Sequence, residues 1–233
     1  MKKHNELIYT KAENWDVLIK IGGIAAIIVV LLIPFQIVVF ALFPPPGDPL
    51  GFYELFHQNW FLGLLSLDLL YVINNVIIIF VYLGLFAALR KTNFALMLIA
   101  LVVGLIGITA YFSSTIAFEM LSLSNQYFDT TSEEVKEQLL SAGYAMIVNY
   151  KGTAFDVYYV LNAITLLTVS SVMLQDQIFS KSTAVWGIVS GILMIIPSTA
   201  GTIGLIFSLL SLIPWIVFSI MIAKRLFYLY RNS

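Results

Sequence analysis

Five stretches of the chain, roughly residues 21–43, 60–88, 94–116, 153–174 and 183–223, each supply the about 20 apolar residues that a helix needs to cross the hydrocarbon core of a bilayer. The last stretch is twice one span and is interrupted by "PSTAG" at residues 197–201, a proline and glycine pair that suits a tight turn. It divides into 183–200 and 203–223. The expected fold is therefore an all-α integral membrane protein, a six-transmembrane-helix bundle forming one membrane domain over residues 1–233. The first segment is too long for a signal-peptide core and runs into "FPPPGDP", so it reads as a retained span.

Loop charge sets an orientation. With the N-terminus inside, ten basic residues face the cytoplasm: Lys2, Lys3, Lys11, Lys20, Arg90, Lys91, Lys181, Lys224, Arg225 and Arg231. Lys136 and Lys151 fall outside, among the acids Asp48, Glu54, Glu119, Asp129, Glu133, Glu134 and Glu137. This positive-inside bias predicts cytoplasmic termini in a multi-pass protein of the cell membrane. The near balance of 12 basic and 13 acidic residues, with the basic ones at span ends, argues against nucleic acid as a partner. The lipid bilayer is the expected partner, and the sequence is silent on homo-oligomers.

Against this background an aspartate inside an apolar run is conspicuous. "DLLYVIN" (68–74) and "DVYYVLN" (156–162) align at an offset of 88, matching Asp68 with Asp156, Tyr71 with Tyr159, Val72 with Val160 and Asn74 with Asn162. Leu70 stands opposite Tyr158. Each copy opens a helix running inward, followed by a basic loop and a returning helix, so helices 2–3 and 4–5 form a candidate parallel repeat. On a helix, offsets of three and six residues lie within an arc of about 120°, and each step descends about 4.5 Å. Aspartate, tyrosine and asparagine would then form one polar stripe in each copy. With Asn75 alongside and Gln36 in the first helix, these groups gather in the outer half of the membrane. An aspartate at mid-span costs about 2.5–3.5 kcal/mol on insertion scales, and such groups usually face the bundle interior. If Asp68 and Asp156 meet across a pseudo-twofold axis, they would titrate as a coupled unit. The candidate ligand-binding set is Asp68, Tyr71, Asn74, Asn75, Asp156, Tyr159, Asn162 and Gln36. The competing reading makes the stripes interhelical hydrogen-bond clamps.

Other features carry structure. In "TSEEVKEQLLSAGYAM", Thr131 and Glu134 form a capping-box pattern, and Val135, Leu139, Ala142 and Met146 recur on one face. An outer amphipathic helix is expected over about 132–146. Trp15 and Trp60 stand where interfacial anchors belong. Gly187 and Gly191 have small-xxx-small spacing suited to close packing inside the bundle. Pro34, Pro197 and Pro214 are expected to kink or end helices. The absence of cysteine excludes disulfides and thiolate chemistry. His4 and His57 fall in the tail and an outer loop, leaving no in-membrane haem, zinc or serine–histidine site. "SLDLL" and "AFDVY" lack the Gly-x-Gly-Asp pattern of intramembrane aspartyl proteases. No metal site, cofactor or catalytic residue is assigned.

The six-span layout, the linker "IFSKSTAVWGIVSGIL" leading into Trp186 and Gly187, and the aspartate in "GTAFDVYYVLN" resemble the domain of unknown function 4386 family of multi-pass prokaryotic membrane proteins. That resemblance implies a cell-membrane protein and brings no activity with it. The function expected from the residues is binding or transport of a small molecule, cation or proton through the outer-half pocket. The alternatives are a structural or regulatory membrane subunit and, last, an intramembrane lipid-modifying enzyme.

Overall fold

The computed structural model describes residues 15–232; Lys2, Lys3, His4 and Lys11 lie outside the described residues. Ten helices follow one another: α1 (Trp15–Leu42), α2 (Pro49–Gln58), α3 (Trp60–Ser66), α4 (Leu69–Leu89), α5 (Phe94–Ser114), α6 (Ala117–Asp129), α7 (Glu133–Tyr150), α8 (Thr153–Met173), α9 (Lys181–Leu193) and α10 (Gly201–Arg231). The long ones pack as a closed ring in the order α4, α1, α10, α9, α8, α5 and back to α4. Five helical stretches, Trp15–Leu42, Leu69–Leu89, Phe94–Asp129, Glu133–Met173 and Gly201–Arg231, are long and apolar enough to cross a membrane.

The sixth ring member departs from expectation. The segment expected as a span over 183–200 is a helix only to Leu193, 13 residues long. Pro197 disfavours helical backbone in the residue before it, and the chain instead turns through a bond from Ala200 N to Pro197 O. Gly201 completes the turn at φ 66°, a conformation open to glycine. The interruption expected at "PSTAG" is thus present, and it removes more helix than the sequence implied.

The expected span over 60–88 is likewise two helices. Leu67 and Asp68 separate α3 from α4, and Asp68 holds the left-handed conformation at φ 64°. Aspartate tolerates this backbone better than most residues because of its short polar side chain. The consequence is a correction: Asp68 is the N-cap of α4 and does not share the helical stripe of Tyr71 and Asn74.

Glycines set the closest approaches. A Cβ on Gly22 of α1 would lie 2.7 Å from the Cα of Gly84 in α4, and the converse distance is the same. Gly187 meets Ser170 and Phe218, while Gly191 meets Leu167, so the "GIVSG" spacing serves packing inside the ring.

One end of the ring carries a cap of α2, α3, α6 and α7 around Phe52, Tyr53, Phe56, Leu64 and Met120. Tyr53 is fully buried; its hydroxyl donates to Leu139 O at 2.7 Å, and Ser124 Oγ donates to Tyr53 O at 2.7 Å. Burial pushes the Tyr53 hydroxyl up to about 12, so it remains a donor at ordinary pH. The expected amphipathic helix is α7, with two differences. Its N-cap is Ser132, whose Oγ accepts from Val135 N at 3.5 Å, in place of the Thr131 pattern. Its packed face centres on Gly143, with Leu140, Met146, Ile147 and Tyr150 against the cap, leaving Val135 exposed.

The other end is drawn together by polar contacts. Arg90 lies over Trp15 at 4.2 Å, Thr92 Oγ1 donates to Asp176 Oδ2, and Arg225 Nε donates to Ile178 O. Lys91, Lys181 and Lys224 belong to the same end by sequence, so most of the described basic residues gather opposite the cap, which holds Lys136 and Lys151.

Candidate functional site

Between the cap and the middle of the ring lies a cavity of about 320 Å³. Its polar wall is formed by Gln36 from α1, Asp68 at the break before α4, Tyr71 and Asn74 from α4, Tyr159 from α8, Ser198 from the α9–α10 turn and Ser208 from α10. A smaller cavity of about 60 Å³ lies next to it and shares the lining residues Ile33, Tyr71, Asn74, Tyr159 and Leu212. Asn162, Tyr82, Tyr158 and Trp215 line only the smaller one.

The structure therefore divides the expected set. Tyr71, Asn74, Tyr159 and Asn162, the tyrosines and asparagines of both repeated words, converge on the smaller cavity. Gln36 and Asp68 join at the larger. Asn75 and Asp156 line neither. Asn75 is fully buried and its Nδ2 donates to Tyr71 O at 2.9 Å. The two aspartates have different partners: Asp68, 8 % exposed, accepts from the Tyr150 hydroxyl, while half-buried Asp156 accepts from Thr199 Oγ1. Their settings also differ, because Asp68 caps a helix in left-handed backbone and Asp156 sits in the first turn of α8.

Hydrogen bonding separates closed groups from open ones. Asn162 is occupied on both sides, accepting from the Tyr82 hydroxyl and donating to Tyr158 O at 2.9 Å. The Tyr71 and Tyr158 hydroxyls are 2.8 Å apart, and their rings meet edge-on next to Tyr111. By contrast, Asn74 Oδ1 and both amide atoms of Gln36 are buried with no hydrogen-bond partner. Asn74 is 5 % exposed. Buried polar atoms are almost always paired, so partnerless ones beside a cavity mark a place where something else can bond. The terminal torsion of each amide is soft, so a small rotation suffices to present these atoms to a ligand in the space.

Several contributors escaped the sequence reading. Tyr150 and Thr199 lie 82 and 43 residues from the aspartates they hold. Ser208 and Ser211, three residues apart in the otherwise apolar "FSLLSL", carried a signal of their own, since polar residues at helical spacing in a span mark an interior face. Among the described residues no Lys, Arg or His lines either cavity, and no group of three acids or histidines is placed to hold a metal ion.

A family model described as "Domain of unknown function (DUF4386)" matches residues 21–230, nearly the whole chain. No curated protein and no solved structure matches it.

Proposed function

We propose that this chain, which belongs to the family described as "Domain of unknown function (DUF4386)", binds a small ligand in the two neighbouring cavities. The observation that carries this reading is the about 320 Å³ space beside partnerless amide atoms of Asn74 and Gln36. Small-molecule sites typically occupy about 300–1,000 Å³ and combine an apolar lining with a few polar groups. A buried polar atom left unpaired costs about 1–3 kcal/mol, and a bound partner removes that cost. Translocation of the ligand, or of a cation or proton drawn by Asp68, is the fuller form of the same reading.

The test uses Asn74→Leu. If the amide is kept for a ligand, the ligand-free variant gains stability, and its melting temperature rises by a few degrees, since about 1 kcal/mol corresponds to about 2–4 °C at this chain length. Native mass spectrometry of protein extracted in mild detergent should show a co-purifying small molecule on wild type and none on the variant. A lowered melting temperature with no bound mass on wild type would count against the proposal.

The second reading, a structural or regulatory subunit, draws support from Asp156 and Asn162, whose polar groups are engaged within the protein. It assigns these two residues to helix clamping and leaves the open groups of α1 and α4 without a role.

The same proposal takes the cap end as extracytoplasmic and both termini as cytoplasmic in a cell membrane. α9 then acts as a short sixth crossing, and α4–α5 with α8–α9 form two related pairs. The excess of basic residues at the end opposite the cap, against Lys136 and Lys151 at the cap, supports that orientation. Because the chain has no cysteine, single substitutions report on it directly. In intact cells a membrane-impermeant maleimide should label Thr131→Cys, and should reach Lys91→Cys only after permeabilisation; the opposite pattern inverts the topology.

A further inference from the structure

Resting on the ligand-binding reading, we propose that the occupant is an uncharged membrane amphiphile with a hydroxylated head, which enters sideways from the bilayer between α1 and α10. The larger cavity is walled on this side by Ile37 and Phe40 of α1 and by Leu205 and Leu209 of α10. Ile37, Leu205 and Leu209 are 52, 51 and 57 % exposed, so the cavity reaches the protein surface at an apolar rim. Three of its polar groups lie deeper, Asn74, Asp68 and Ser208 being buried, while Gln36 is half-buried with both amide atoms shielded. An apolar mouth that meets hydrocarbon, with a polar floor behind it, suits a molecule whose head enters while its tail remains among lipid chains.

The gap between the two helices has a local origin. Near the opposite end they touch, with Gly23 facing Leu226 and Phe227. Toward the cap each carries a proline inside the helix, Pro34 and Pro214. Proline removes one intrahelical hydrogen bond and bends the helix. Ile33, adjacent to Pro34, and Leu212 and Trp215, flanking Pro214, line the same smaller cavity, so each helix carries its proline at the level where the space begins.

The floor selects the head. Of the buried side-chain atoms without a partner, those belonging to residues of this wall are two acceptors, Asn74 Oδ1 and Gln36 Oε1, and one donor, Gln36 Nε2; Ser66, Asn75, Tyr111 and Ser170 hold the others away from it. A hydroxyl both donates and accepts and can engage either kind, whereas an ammonium leaves the Gln36 donor unmet. An anionic head finds no cation in the wall among the described residues and meets Asp68 instead. A phosphate or carboxylate lipid is therefore disfavoured.

The experiment measures binding to protein in lipid nanodiscs with four probes: monoolein, oleylamine, oleate and glycerol. Monoolein should bind saturably, with oleylamine and oleate at least tenfold weaker and glycerol undetectable. Monoolein affinity should fall at least tenfold in Asn74→Leu and in Gln36→Leu. Leu209→Trp, a lipid-exposed change at the rim, should also weaken it. Glycerol binding as tightly as monoolein would overturn the lateral amphiphile while leaving a ligand site intact. A preference for oleylamine would overturn the uncharged head. Equal monoolein binding by wild type and both floor variants would mean annular lipid only and would overturn the proposal. A co-purifying molecule in the mass-spectrometric test, with no probe bound here, would overturn this inference and spare the broader reading.

Discussion

Gly84→Leu should leave little folded protein in the membrane, and Gly84→Ala should lower the melting temperature by roughly 5–10 °C, corresponding to about 2–3 kcal/mol. The Cβ introduced by either change lies 2.7 Å from the Gly22 Cα and 3.1 Å from Leu18 O, both backbone atoms of α1. Backbone cannot rotate away as a side chain can, so α1 must shift along one of the most extensive helix contacts in the ring. Gly22→Ala should cost about as much, because its Cβ meets the Gly84 Cα at the same distance. The double alanine variant should cost less than the sum, since the helix separation that admits one methyl partly admits the other. Gly23→Ala is the control. Its Cβ would contact Leu226 Cβ at 3.4 Å, an ordinary approach, and alanine gains about 1 kcal/mol of helix propensity over glycine. Thermal unfolding of the four variants checks the claim: if Gly23→Ala and Gly84→Ala shift the melting temperature alike, the close approach of α1 and α4 does not limit stability.

Much of this architecture is written in hydropathy. Apolar length placed α1, α5 and α8, marked the stretch that contains α4, and together with the turn at "PSTAG" placed α10, because a segment that must satisfy its backbone internally has little choice but to be helical. The places where the reading failed are those where a distant group decides. Nothing in "LSLDLLY" announces a break at Asp68, because α3 and α4 are both apolar on either side of it and the Tyr150 hydroxyl that holds the carboxylate arrives from the end of α7. The shortness of α9 was hidden for a related reason: hydropathy does not distinguish a helix from an apolar turn, and "IIPSTAG" remains hydrophobic up to Pro197. The candidate site was legible in residue type and less so in role. Tyr71, Asn74, Tyr159 and Asn162 do converge, but which amide is saturated and which is open depends on Tyr82, a residue that looks like ordinary packing in "FVYLG".

Substitutions at Asp68 should separate its backbone role from its hydrogen bond and should fall in a definite order, with asparagine closest to wild type, glycine intermediate and valine worst. Asparagine tolerates the left-handed backbone and keeps an oxygen to accept from Tyr150. Glycine adopts φ 64° freely but leaves the Tyr150 hydroxyl without its acceptor. Valine loses both. A β-branched side chain in this region costs on the order of 1–2 kcal/mol, and the orphaned buried hydroxyl adds about 1–3 kcal/mol. Together they correspond to a melting temperature lower by roughly 5–15 °C. Tyr150→Phe removes the donor and leaves the backbone untouched, so its loss should resemble that of Asp68→Gly. Combining Asp68→Gly with Tyr150→Phe should then cost about as much as either alone, giving a coupling on the order of 1 kcal/mol in a double-mutant cycle. Two results would sink this account: equal losses for glycine and valine, which would mean the left-handed backbone carries no penalty, or strict additivity in the cycle, which would mean Asp68 and Tyr150 act independently. Because the pair joins the last residue of the cap helix α7 to the start of α4 beside the larger cavity, a measured coupling would also show that the cap and the cavity wall are stabilised as one unit.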